Sequence, residues 1–422
     1  MTNQETAAVP ESTPTWSDLE GLAAEHGDGF WLLDVDRFRR NLGGFLHAFV
    51  AAGWPNTRAA WPLKTSWVPP VVRASIAAGA LLEVGSRHEY DLAMALGAAP
   101  ASLVYNGPLK TRADLDRACA LGSCVHLDGP DEVADLLSLA RDHRGRLFRV
   151  GLRANVDVGQ RDRGRFGLDA ESGDLQHAFR QLAAEPNVSV NALHLHVSGD
   201  RRAESYRNRI TRLIGLADEL WPDGRGLDDL DIGGGFAGFV PDSLSRQMPT
   251  PPPPTGAYAA AVVPKLLARW PQGGPRLIVE PGTALAADTM QFAARVGAIK
   301  TLAGVRHAIV SASVYTVKPT RHKLDMPFRV VRDGRVSGAG TPTVVSGWTC
   351  VEDDVLVRHC PFELRRGDWL LFDNCGAYSF ALNPRFVRGT PALLVCEPGR
   401  EPVVARPADT VRTWLDPFET RP

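Results

Sequence analysis

The chain has 422 residues, enough for two or three domain cores or for one barrel of about 250 residues with a companion domain, so a single small module is excluded. Its 47 basic and 48 acidic side chains leave a net charge of -1, and 44% hydrophobic with 23% charged residues is an ordinary globular balance. Nothing in that balance offers a basic face to nucleic acid or an anionic membrane, and no apolar run approaches the roughly 20 residues of a membrane helix.

Residues 1–26 open with "MTNQETAAVPESTPT", which lacks the basic start and apolar middle of a signal peptide, and they read as a disordered tail and lead-in. "GDGFWLLDVDRF" (27–38) is strand-like, and residues 27–37 are expected to pair with a sheet formed much later in the chain. From 38 to 295, eight short apolar runs alternate with helical patterns: 58–63, 80–85, 102–107, 123–128, 147–153, 190–197, 229–235 and 276–282. Strands alternating with helices indicate a parallel sheet, and eight of them favour a closed (β/α)8 TIM barrel over an open one. Between the fourth and fifth runs, Asp131–Ala140 has an acidic first turn and apolar residues at helical spacing. The proline-rich 249–256 breaks the pattern as a stiff surface loop, readable as a spacer or as a lid. From 296 to 422 the rhythm becomes strand-like, in "HAIVSASVYTV", "FRVVRDGRVSG" and "PTVVSGWTCVEDDVLV", which predicts an all-β barrel or sandwich domain. Six scattered cysteines show no zinc spacing, so free thiols in a cytoplasmic protein are the simplest expectation.

A barrel of this kind does its chemistry at the carboxyl ends of the strands and holds phosphates on the loops after strands seven and eight. Strand seven ends in "DIGGGF", where Gly233, Gly234 and Gly235 make either a tight turn or an anion nest. Strand eight ends in "VEPGT", with Glu280, Gly282 and Thr283. Strand six ends in "HLHV", and alternation points His194 and His196 the same way. The paired histidines raise a metal site, yet no third ligand arrives at convincing spacing, so no metal is expected. The tetrapeptide "PLKT" occurs twice, around Lys64 after strand one and Lys110 after strand three. Lys64 lies among tryptophans and prolines, a setting that lowers an amine's pKa toward roughly 7 to 8, whereas Lys110 precedes a helix capped by Thr111 with Asp114 and Asp116 and reads as solvated.

In this order the motifs resemble the fold-type III pyridoxal-phosphate decarboxylases, the group of diaminopimelate, ornithine and arginine decarboxylases, across roughly residues 28–400. The resemblance implies pyridoxal 5'-phosphate as cofactor and Lys64 of "WPLKTS" as its Schiff-base lysine. It carries Glu83 and Glu89 of "LEVGSRHEYDLA", Arg153 of "GLRANVD", the landmark "RFGLD" and the ring-stacking His196. It assigns the glycines to the phosphate loop and Glu280 to the pyridine nitrogen. Cys350 of "GWTCVEDDVL" would protonate the substrate carbon from a partner subunit, and Tyr378 of "CGAYSFALNPRF" would touch cofactor or substrate, so a homodimer with shared sites is implied.

The departures concern the substrate. Ser198 precedes Gly199 where the family has Gly-Ser, Thr283 stands where an arginine often follows, and Lys318 and His322 replace an arginine and a tyrosine. Val351 replaces the acid that reads a distal amine, with Glu352 and Asp353 beside it. The expectation is therefore an amino-acid decarboxylase acting on an amino acid or amino-acid conjugate other than free diaminopimelate or ornithine. A racemase or epimerase on the same fold and a non-catalytic pyridoxal-phosphate protein are the alternatives.

Overall fold

The computed structural model describes residues 14–159, 163–336 and 340–418, and within them the chain forms two compact units. Among the described residues, one comprises those of 38–239 and 250–286, the other those of 14–37, 240–249 and 287–418.

In the first unit, eight parallel strands close on themselves: Thr57–Pro62, Leu81–Val84, Leu103–Tyr105, Cys124–Leu127, Phe148–Asn155, Val188–His194, Asp229–Asp231 and Arg276–Val279. Each overlaps one run read from the sequence. Closure is made where Val279 of strand eight lies beside Ala59 of strand one. Small or β-branched residues such as Ala60, Val104 and Ile278 fill the interior without exposure, as a narrow barrel requires. The helix predicted at 131–140 spans Pro130–Asp142, with Asp131 and Glu132 in its first turn. A two-residue strand, Leu168–Asp169, is added beside Asn155 of strand five and was not anticipated.

The second unit is a nine-stranded mixed sheet. Gly29–Leu33 lies between Met290–Leu302, antiparallel, and Ala392–Val395, parallel. Being central, this strand is buried on both faces: Phe30 and Leu32 pack with Leu19, Trp369 and Leu371, while Trp31 meets Phe292 and Phe380 edge-on at 5.1 and 5.2 Å. The boundary read at 295 falls inside Met290–Leu302, because only the three residues Ala287–Thr289 separate that strand from the helix Thr283–Ala286.

Three expectations need correction. Of the tail, residues 1–13 lie outside the described residues, but Trp16–His26 is a helix. Thr15 and Asp18 form a reciprocal capping box, and Leu19 is buried. "HAIVSASVYTV" is a strand only to Val310; Ser313 then caps a short helix, Val314–Val317. The proline loop ends at Pro254, which caps a helix that already contains Thr255 and Gly256. Among the described residues no helix is long and apolar enough to cross a membrane.

Candidate active site at the barrel mouth

Lys64 follows strand one in a single turn of 3-10 helix, Leu63–Thr65, with half of its side chain exposed. Its Nζ pairs with the carboxylate of Glu83, which is buried in strand two directly beside Pro62. The apolar surroundings expected from the tryptophans are thus not what the ammonium meets. Trp61 is turned inward, packs on Phe38 at 4.9 Å and donates to Ser66 O. Glu89, also carried by the resemblance, accepts from Gly85 N–H at 2.7 Å, and burial raises its pKa.

Lys110 reverses the other expectation. Its side chain is fully buried, ion-paired with Glu132 at 2.8 Å and donating to Gly107 O at 2.6 Å. Thr111 and Asp114 do cap the next helix reciprocally. The sequence hid the burial because Glu132, on the following helix, supplies the countercharge from 22 residues away.

His196 lies just past strand six. Gly234 N–H donates to its Nδ1 at 3.0 Å, which puts the ring proton on Nε2, 3.3 Å from Ser198 Oγ. Burial, then the charges of Lys64, Arg153 and Arg209, lower its pKa to about 3, so the ring is neutral at physiological pH. The glycine triplet serves close packing: a Cβ on Gly233 would lie 2.7 Å from His196, and one on Gly234 2.6 Å from Glu280 O. Gly233 N–H is taken by Asp231 Oδ1 at 2.8 Å and Gly234 N–H by His196, so two of the three amides read as an anion nest have protein acceptors. The loop is pinned by Tyr206 and Arg209, fully buried, which both donate to Gly234 O at 2.9 and 3.3 Å. Gly282 approaches Thr65 too closely to carry a Cβ, and Thr283 is buried at the start of a short helix. Ser198 is exposed beside Gly199.

Glu280 is buried, and its Oε1 accepts from the Asn106 side chain at 2.5 Å and lies 3.8 Å from His194 Nε2. His194 stacks on His126 at 4.9 Å, and His126 Nδ1 stands 4.0 Å from Asp231 Oδ2. Burial and then the like charge of Glu83 push Glu280 up to about 7; burial and Glu280 itself push Asp231 well above the carboxylate range. His194, Asp231 and Glu280 bring donor atoms within 4.8 Å of one another. The carboxylates that the spacing of the histidines failed to supply thus come from strands seven and eight. Arg153 reaches Asp128 Oδ1 at 2.9 Å and Asn106 O at 3.3 Å. Asn106, Asp231, His126 and Arg209 were all missed, although Asp231 stands inside the quoted "DIGGG" and Asn106 inside "VYNGPLKT".

The remaining candidates lie in the sheet unit. Cys350 is an exposed free thiol, Glu352 and His322 are exposed, and Val351 is half-buried. His322 packs edge-on to Tyr315 at 6.0 Å. Tyr378 holds a left-handed φ of 67°, a strained conformation for a tyrosine. Lys318 does not fit a substrate contact: it is buried, its Nζ donates to Leu324 O and Leu356 O at 2.6 and 3.1 Å, and burial lowers its pKa to about 8. All six cysteines are free.

The chain is 26% identical over 379 residues to a diaminopimelate decarboxylase of Pseudomonas aeruginosa, covering 87% of each chain. It is 29% identical over 402 residues to one from Actinosynnema pretiosum subsp. auranticum, covering 91% of this chain and 87% of that one. In structure it is similar to the diaminopimelate decarboxylase of M. jannaschi, with a TM-score of 0.84 at 20% identity over 95% of this chain and 94% of the other, a likeness of fold. These names give no support to setting free diaminopimelate aside. The family profile of the pyridoxal-dependent decarboxylases, pyridoxal binding domain, matches residues 38–287, the whole barrel, and the chain belongs to that family.

Proposed function

We propose that the chain releases CO2 from an amino acid that carries a second charged group, diaminopimelate first among them. The observation that carries this reading is the pair of buried carboxyl groups at the barrel mouth, Glu280 and Asp231, with Lys64 on Glu83 close enough to influence them electrostatically. Lys64 and Arg153 offset only part of the upward shift that burial puts on Glu280, so the pair would accept a further cation, and Asp231 Oδ2, Glu83 Oε1 and both nitrogens of His194 are buried without a hydrogen-bond partner. A protonated heterocycle supplies such a cation, so the residues present fit pyridoxal phosphate. When bound, the cofactor offers an aldehyde to amines and a ring that takes up the electron pair left by departing CO2.

Each side chain has a part in that scheme. Lys64 is the amine at the mouth, and Glu83 holds it there and accepts its proton. His196, neutral and fixed through Gly234, presents a flat ring face. Glu280 would hold positive charge on the ring nitrogen, while Gly235, Ser198 and Thr283 would hold the phosphate. Arg153 and Asp128 brace the loop carrying Asn106. After the bond between Cα and the carboxylate breaks, Cα needs a proton. Cys350, exposed on the sheet unit, is the proposed donor from the partner in a homodimer, and Tyr378 would touch cofactor or substrate as the resemblance implies. Lys318 leaves the substrate set, since its ammonium serves backbone carbonyls. Val351 cannot pair with a distal ammonium, so Glu352 or the adjacent Asp353 takes that contact.

The test is CO2 release and amine mass from diaminopimelate, ornithine, lysine and arginine with the reconstituted enzyme. Diaminopimelate is expected to yield CO2 and an amine lighter by that mass. An epimer formed without CO2 would replace this reading with racemisation.

A further inference from the structure

Asn106 follows strand three on the mouth side and is buried, yet no part of the scheme above needs an amide there. Its surroundings hold it with unusual thoroughness. Its backbone N–H donates to Val84 O at 3.3 Å and its carbonyl accepts from Arg153 at 3.3 Å. The next residue, Gly107, sits so tightly against Gly85 O that no Cβ fits, and its own carbonyl is held by Lys110. Lys110 in turn is fixed by Glu132, whose Oε1 and Oε2 also accept from the backbone N–H groups of Lys110 and Asp128 at 2.9 and 2.8 Å. A buried lysine, a buried arginine and a glycine contact therefore converge on two residues, and what those residues present is one side-chain amide aimed at Glu280.

We infer that Asn106 is a positioning residue for the cofactor, holding Glu280 Oε1 with its amide so that Oε2 is the oxygen left to meet the ring nitrogen. The chemistry of the contact supports this. An amide NH2 only donates, so Glu280 Oε1 is an acceptor and any proton on this carboxyl sits on Oε2. Donation also favours the charged carboxylate, against the opposing influence of burial and of Glu83. A carboxylate fixed in this way is prepared to hold a protonated ring nitrogen, whereas a free one could turn toward His194, 3.8 Å from Oε1. Lys110, the second PLKT lysine, then anchors the loop from which the amide acts.

This inference rests on the assignment of Glu280 to the ring nitrogen, and the experiment separates the two. Dissociation constants are measured for pyridoxal phosphate and for its analogue with carbon in place of the ring nitrogen, on wild type and on Asn106→Leu. Wild type is expected to prefer the nitrogen compound, and Asn106→Leu to lose about tenfold of that preference, the effect of one hydrogen bond to a charged group, with the carbon analogue binding as before. Equal weakening of both compounds, or an unchanged preference, overturns the inference. A wild type that shows no preference overturns the Glu280 assignment instead. Should Asn106→Leu fail to fold, Asn106→Ala repeats the comparison, with the same loss of preference expected because it removes the same amide donor.

Discussion

The same four letters, PLKT, place two lysines in opposite surroundings, and the contrast is testable at single residues. Lys64 is half-exposed on Glu83, whereas Lys110 has no exposed side-chain surface and is spent on Glu132 and Gly107 O. Borohydride reduction of the reconstituted enzyme, followed by peptide mass analysis, should find the cofactor's mass on the peptide containing Lys64. Lys64→Ala should abolish that adduct and lower CO2 release by roughly a thousandfold or more. Lys110→Met should leave the adduct in place but destabilise the protein by about 3 kcal/mol, because it strands a buried carboxylate; urea denaturation measures the difference. An adduct on Lys110 would reverse both assignments. Reading the lysines from sequence succeeded for position and failed for environment. Both lysines end strands, so position did not separate them and the family resemblance chose Lys64; its partner Glu83 is a register neighbour rather than a chain neighbour.

At the scale of elements, the barrel strands were legible because buried parallel strands are continuous apolar runs, and the rule that chemistry collects at their carboxyl ends brought forward Lys64 and Lys110 alike, with His196 and Glu280. The contacts that organise the site were not legible. Asn106 reaches Glu280 across the mouth from strand three to strand eight, and His126 reaches His194 from strand four to strand six, so no local spacing encodes either. Apolar density also concealed the helix at Trp16–His26, whose buried face shows only Leu19. The strand Gly29–Leu33 was recognised, and its consequence is mechanical. It is the central member of the second sheet, with Trp31 fully buried and donating to Thr316 O. Trp31→Ala should cost about 3–5 kcal/mol, the range for a large buried side chain, as a lowered urea midpoint of that unit. A cost below about 1 kcal/mol, the scale of a surface change, would mean the strand is peripheral.

For the whole molecule, the buried groups of the barrel mouth set how stability of the cofactor-free protein depends on pH. His126, lowered to about 3 by burial and by Lys110 and Arg153, and His194, lowered well below its ordinary value by burial and by His126, stay neutral in the native state. In the unfolded chain both take up protons below about 6.5. The unfolded state then binds more protons, so these residues make stability fall as pH drops from about 6.5 toward 3. His196, partly open to solvent, adds a smaller contribution of the same sign. Glu280, raised to about 7, and Asp231, raised further from its ordinary range, act in the opposite sense. The native state keeps protons that the unfolded state has released above about 4.5, so stability falls as pH rises. Between about 4.5 and 6.5 the two slopes oppose, and the net dependence is shallow. Above that window the histidines are neutral in both states and only the carboxyl pair acts, so stability declines for as long as the pair retains a proton. Urea midpoints of the cofactor-free protein should therefore be highest in this middle range and lower at pH 4 and at pH 8. Glu280→Gln removes the like charge that holds up Asp231 and should flatten the alkaline limb while leaving the acid limb intact. A midpoint that climbs steadily from pH 4 to pH 8 in wild type would mean that the two carboxyls are ionised together in the folded barrel, and that the uncompensated charge supporting the cofactor reading is not there.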